Sequence, residues 1–185
     1  MRNLIRLAML AVLSYGCLSA AVVSYTVTNL NMTNGNGQPL YRYIYNLTGA
    51  PLLANQELDI RFEVTRYAAI SNGVAPPSGF DLLLLPVNNP PGADGRYSLL
   101  SLVNNPTMIG TFSVDFAFIG SGQPGAQTFF INLLNSSGGF IRQDDSGFTV
   151  AGSSSSSSGG GSIPEPGTLL LSAAGVALLA LARRR

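Results

Sequence analysis

The stretch Glu57-Leu58-Asp59-Ile60-Arg61-Phe62-Glu63-Val64-Thr65 decides the fold. Leu58, Ile60, Phe62 and Val64 fall on one side of an extended chain and Glu57, Asp59, Arg61 and Glu63 on the other, the period of two that belongs to a strand. The charged set reads as a solvated strand face, with Arg61 among three acids. Thr111 to Phe118 repeats the alternation, with Phe112, Val114, Phe116 and Phe118 turned inward and Thr111, Ser113, Asp115 and Ala117 outward. Further strands are expected at Val23 to Leu30, Leu40 to Leu47, Phe80 to Val87, Tyr97 to Val103, Thr128 to Leu134 and Phe148 to Ala151. Between them lie clusters that reverse a chain easily: Asn34 to Gly37, Pro76 to Gly79, Asn89 to Gly92, Gly120 to Gly125 and Ser136 to Gly139. The spacing leaves no room for long helices and no constant repeat is present. An all-β, antiparallel sandwich of about eight strands over residues 22–151 is predicted, immunoglobulin-like or jelly-roll in topology.

Both ends differ from this middle. Arg2 and Arg6 precede the apolar run Leu7 to Leu13, and small residues follow at Ser19, Ala20 and Ala21. Residues 1–21 therefore read as a secretory signal peptide, cut by signal peptidase after Ala21 or one residue earlier, with Ser19 and Ala21 at the recognition positions. Tyr15, two residues before Cys17, fits a lipoprotein signal poorly. At the other end, residues 152–162 are a Ser/Gly-rich linker, a composition that buries no apolar area and serves as a flexible tether. Ile163-Pro164-Glu165-Pro166-Gly167 follows, then the apolar run Thr168 to Ala182, then Arg183-Arg184-Arg185. Fifteen apolar residues would span about 22 Å as a helix, short of a hydrocarbon core of about 30 Å. Such a segment suits a transient anchor better than a permanent one, and the arginines hold its end in the cytoplasm.

Pro164-Glu165-Pro166, a short apolar helix and a terminal arginine cluster together resemble the PEP-CTERM sorting signal of Gram-negative bacteria. The resemblance covers residues 163–185. It implies that Pro164, Glu165, Pro166 and Gly167 form the element recognised by a membrane-embedded exosortase, that the apolar run is the transmembrane segment, and that Arg183, Arg184 and Arg185 are the cytoplasmic stop. It further implies export, a transient stay in the inner membrane, and a destination in the envelope or extracellular polysaccharide matrix. An ordinary tail anchor is the competing reading of the same residues, though it needs no Pro-Glu-Pro element.

Removing both ends changes the electrostatics. Between Val22 and Ser162 five arginines face eight acidic residues, a net charge of −3, against +1 for the whole chain. A nucleic-acid partner is not expected of such a surface. The chain holds no Lys, His or Trp, and its one cysteine, Cys17, falls in the leader. Disulfides, thiolate nucleophiles and His or Cys metal sites are therefore excluded from the middle domain. No cofactor is implied, and the reading is of a non-catalytic protein.

Three groups of residues remain as candidate sites. Tyr41, Tyr43 and Tyr45 alternate along one strand and share a face, which is either core or an exposed platform for sugar rings. Asp144 and Asp145 adjoin in what reads as an Asp/Gly turn, the best candidate for a calcium-holding loop. Carboxylates are the only proton-transfer groups available, so the enzymatic alternative is a small glycoside hydrolase, for instance one using Asp115 with Glu63.

Overall fold

The computed structural model describes residues 20–49, 51–76, 78–104 and 111–152. The leader before Ala20, the linker from Ser153, the Pro-Glu-Pro element, the apolar run and the arginine cluster lie outside the described residues. Every regular element among the described residues is a strand.

Ten strands follow in chain order: β1 (Val22–Thr33), β2 (Pro39–Thr48), β3 (Gln56–Phe62), β4 (Tyr67–Val74), β5 (Phe80–Leu85), β6 (Gly95–Ser101), β7 (Phe112–Phe118), β8 (Thr128–Leu134), β9 (Phe140–Phe148) and β10 (Val150–Ala151). They form two five-stranded sheets, ordered β10-β1-β2-β7-β4 and β5-β6-β3-β8-β9. All pairings are antiparallel except β1 with β10. The decisive stretch Glu57 to Thr65 supplies β3, the centre of the second sheet, and its strand ends at Phe62 because Glu63 turns the chain. The Glu63 carbonyl accepts the N–H groups of Arg66 and Tyr67 and hands the chain to β4 in the first sheet.

Inward residues of both sheets meet in one core. Leu58, Ile60, Phe62, Phe112, Val114 and Phe116 have no solvent exposure, as alternation predicts. Stacked rings dominate it, with Tyr43 and Phe116 centroids 4.4 Å apart and Tyr45 and Phe112 5.3 Å apart within the first sheet. Phe62 of the second sheet meets Tyr67 of the first edge-on at 5.1 Å. Offset and edge-on geometries are those the aromatic quadrupole favours. Each buried tyrosine hydroxyl is hydrogen-bonded: Tyr43 donates to the Gly125 carbonyl at 2.7 Å, Tyr45 to Gln127 Oε1 at 2.7 Å and Tyr97 to the Val74 carbonyl at 2.8 Å, and the Tyr67 hydroxyl lies 3.2 Å from that of Tyr43.

Three hairpin turns share one device. Asn34, Asn88 and Asn135 each aim a side-chain carbonyl at the N–H four residues on, in Gln38, Gly92 and Gly139, at 2.7–3.0 Å. Side-chain-to-backbone bonds of this kind fix loop shape locally, and Gly37, Gly92 and Gly138 supply the positive φ that each reversal needs.

Strands β4, β9 and β10 depart from the sequence expectation. β4 was not predicted, because irregularities between Tyr67 and Ala69 and between Ser71 and Val74 break its period of two. Asp144 and Asp145 do not lie in a turn: they belong to β9, an edge strand with most side chains exposed. Asp145 pairs with Ile131 and Gln143 with Asn132, so Asp144 is the extra residue of a bulge. The predicted strand Phe148 to Ala151 is split, since β9 ends at Phe148 and the chain crosses at the buried Thr149 to pair β10 with β1 in the other sheet.

Candidate functional site

The outer face of the second sheet carries a connected polar arrangement that grows from the outward residues of β3. Asp59, read from sequence as solvated, has no exposed surface at all. The correction follows from strand order. β6 and β8 flank β3, placing Ser98 and Phe130 on either side of Asp59, and arginines from β3 and β6 close over it. Arg96 binds Asp59 with two donors, Nε to Oδ1 at 3.0 Å and a terminal nitrogen to Oδ2 at 2.6 Å. Arg61 adds its Nε at 2.9 Å and a terminal nitrogen at 2.8 Å, both to Oδ2. A buried carboxylate is tolerated only when paired and hydrogen-bonded in this way. The Asp59 hydrogen bond raises the pKa of Arg96 above its ordinary value, against the opposing effect of burial.

Glu57 extends the array. Its carboxylate accepts from the Ser98 hydroxyl and from Asn132 Nδ2 at 3.2 Å, with the Arg96 guanidinium 3.6 Å away. Beside these groups the Arg61 guanidinium lies over the Phe130 ring, 5.6 Å from its centroid. Arg61 and Phe130 form a ridge between two depressions. The larger, about 420 Å³, is lined by Glu57, Arg96, Asn132 and Gln143 and bordered by Phe140, which is two-thirds exposed. The smaller, about 290 Å³, lies beyond the ridge among Glu63, Asp94 and Thr128. Together they make an open groove with fixed polar groups in its floor and an aromatic ring at its rim.

Of the candidate site residues singled out from sequence, only Glu63 lines this groove. Tyr43 and Tyr45 are fully buried, and rings without an exposed face offer no sugar platform; desolvation raises both hydroxyl pKa values. Tyr41 is half-buried and stacks on Phe116 at 5.7 Å. Asp144 accepts from Gln56 at 2.7 Å and pairs with Arg142 at 2.6 Å, while Asp145 accepts the backbone N–H of Ala21 at 2.8 Å. Their carboxylates thus serve different neighbours, and no group of three or more His, Cys, Asp or Glu suited to a metal occurs among the described residues.

Asp115 and Glu63 are not brought together. Asp115 stands on β7 in the first sheet, where Arg42 grips it at 2.6 and 2.9 Å and Asn72 donates at 3.0 Å. It faces away from the core yet is only 4% exposed, because those two side chains cover it. Glu63 is exposed and lines the smaller depression. The groove residues missed by sequence reasoning, Arg96, Phe130, Asn132 and Phe140, lie on strands that only the sheet order sets beside β3. Nothing in the sequence says that β6 and β8 are the neighbours of β3.

No curated protein matches the chain. Residues 162–185 match the family described as the PEP-CTERM protein-sorting motif, so the chain carries at its C-terminal region the sorting signal of an exported exosortase substrate.

Proposed function

We propose that this is a non-catalytic surface or matrix protein, released by exosortase processing, whose β domain binds extracellular polysaccharide along the outer groove of the second sheet. The two sheets are read as a sandwich of immunoglobulin-like or jelly-roll type. The observation that carries the binding half is the Arg61–Asp59–Arg96 array fixed beside Phe130 and Phe140. Sugars present hydroxyl groups around an apolar ring face, and planar polar groups next to an aromatic ring meet both. Rigid, pre-paired side chains lose little entropy when a ligand binds. The carboxylates of the groove support binding rather than hydrolysis: Asp59 and Glu57 are held by arginine, serine and asparagine donors and act as acceptors. Three carboxylates, Glu57, Glu63 and Asp94, line the groove and a fourth, Asp59, is buried beneath it, against two guanidinium groups. That balance disfavours uronic-acid polymers and favours neutral ones.

Affinity electrophoresis of the exported protein tests the reading. Mobility falls in gels containing a neutral glucan and is unaffected by a polyuronate. Phe140→Ala, at an exposed rim position, weakens retardation by about tenfold, the loss of one ring contact. Unchanged mobility in every polysaccharide removes the binding half.

A further inference from the structure

We propose that the mature N-terminus is Ala21, created by cleavage between Ala20 and Ala21, and that its α-ammonium is held by the carboxylate of Asp145. The proposal rests on the reading of residues 1–21 as an export signal. In the step, water adds across the Ala20–Ala21 peptide bond, leaving a carboxylate on Ala20 and an ammonium on Ala21. Small-residue spacing alone favours a cut one residue later, with Ser19 and Ala21 at the recognition positions; the fold argues otherwise. Ala20 is exposed, whereas Ala21 is 7% exposed and joins the core cluster with Val23. Its backbone nitrogen lies 2.8 Å from Asp145 Oδ2, and Oδ1 of the same carboxylate accepts from Ser146 N–H at 2.8 Å.

Among the described residues Asp145 has no cationic side-chain partner, because the nearby Arg142 pairs with Asp144. Cleavage after Ala20 converts the N–H already on Oδ2 into an ammonium, a stronger donor to an ionised acceptor. Cleavage after Ala21 removes a buried residue and leaves Oδ2 without its donor. The contact also links the edge strand β9 of one sheet to the start of β1 in the other. The charged groups on the elements around it are few: β1 and β10 have none, β2 has Arg42 opposite Thr28 far along the strand, and β9 has Arg142, Asp144 and Asp145.

The chain contains no lysine, so the α-amine is the sole primary amine of the mature protein and labels selectively. The full chain is expressed in a host that exports it, and the envelope-fraction protein is analysed by N-terminal sequencing and intact mass. A first residue of Ala21 is expected. Val22 overturns the proposal and leaves the cleaved leader standing; a retained Met1 removes the reading of residues 1–21 as a cleaved signal and the proposal with it. The second measurement is the rate of amine acylation near pH 7.5. An ammonium held by Asp145 titrates above the ordinary range of about 7.7–8.0, so Asp145→Asn labels roughly two- to fivefold faster than wild type and Asp145→Glu restores the slow rate. Equal rates in all three overturn the ion pair.

Discussion

Asp59 and Asp115 each face outward from an interior strand, and each is covered by an arginine from the adjacent strand. Alternation assigns such residues to the outer face correctly, but the step from outer face to solvent fails when a long guanidinium side chain lies across the sheet. Cross-strand register decides this, setting Arg42 opposite Asp115 and Ser98 opposite Asp59. Burial works to raise the Asp115 pKa, but the hydrogen bonds from Arg42 and Asn72 outweigh it and hold the carboxyl below its ordinary value. The sign follows from linkage. A depressed folded pKa contributes stability that is present above the unfolded value, about 3.9, and is lost as pH falls through the folded one. Urea midpoints of wild type and Asp115→Asn are therefore expected to differ at pH 7 and to converge as pH falls through the depressed folded value and the wild-type carboxyl protonates. A gap of constant size across that range would show that the ion pair is not the source of the difference.

Legibility of the elements tracked the regularity of their alternation. β3, β7 and β8 are clear in the sequence because every inward position is apolar and no bulge interrupts them. β4 is hidden by its irregularities and by Asn72 at φ 48°, and β9 by its exposure, which gives an edge strand no apolar face to display. The pairing of β6 with β3 was equally illegible, yet it creates the groove. That pairing depends on a close approach at the end of the β5–β6 hairpin, where Gly95 lies opposite Phe62. A Cβ placed on Gly95 would sit 2.6 Å from Val87 Cγ2 and 3.3 Å from the Val87 backbone nitrogen. Gly95→Ala is accordingly expected to destabilise the domain by about 1–3 kcal/mol through overpacking, read as a lower urea midpoint with an unchanged slope. Because Arg96 follows directly, the same variant should also weaken polysaccharide retardation; a stable, fully binding variant would show that the hairpin end tolerates the shift.

At the scale of the molecule, destination and activity are written in different chemical languages. The sorting signal is linear, a local order of Pro-Glu-Pro, apolar run and arginines, and it is readable without a fold. The groove is assembled from β3, β6, β8 and β9, so its residues are scattered over 87 positions from Glu57 to Gln143 and acquire meaning only through strand order. The two meet in the charge of the product. In the proposed reading, processing near Pro164-Glu165-Pro166 discards Arg183, Arg184 and Arg185 and the leader is removed as well; the residues from Val22 to Ser162 hold five arginines against eight acids, a net −3. Intact-mass analysis of the released protein is expected to give a chain that ends before Thr168 and has lost all three terminal arginines. Replacing Pro164, Glu165 and Pro166 together by alanine should retain the tail and leave the protein in the membrane fraction, while urea midpoint and glucan retardation of the detergent-extracted domain stay as in wild type. Wild-type protein that stays in the membrane fraction and still ends in Arg185 would restore the tail-anchor reading and sever the sorting signal from the fate of the β domain.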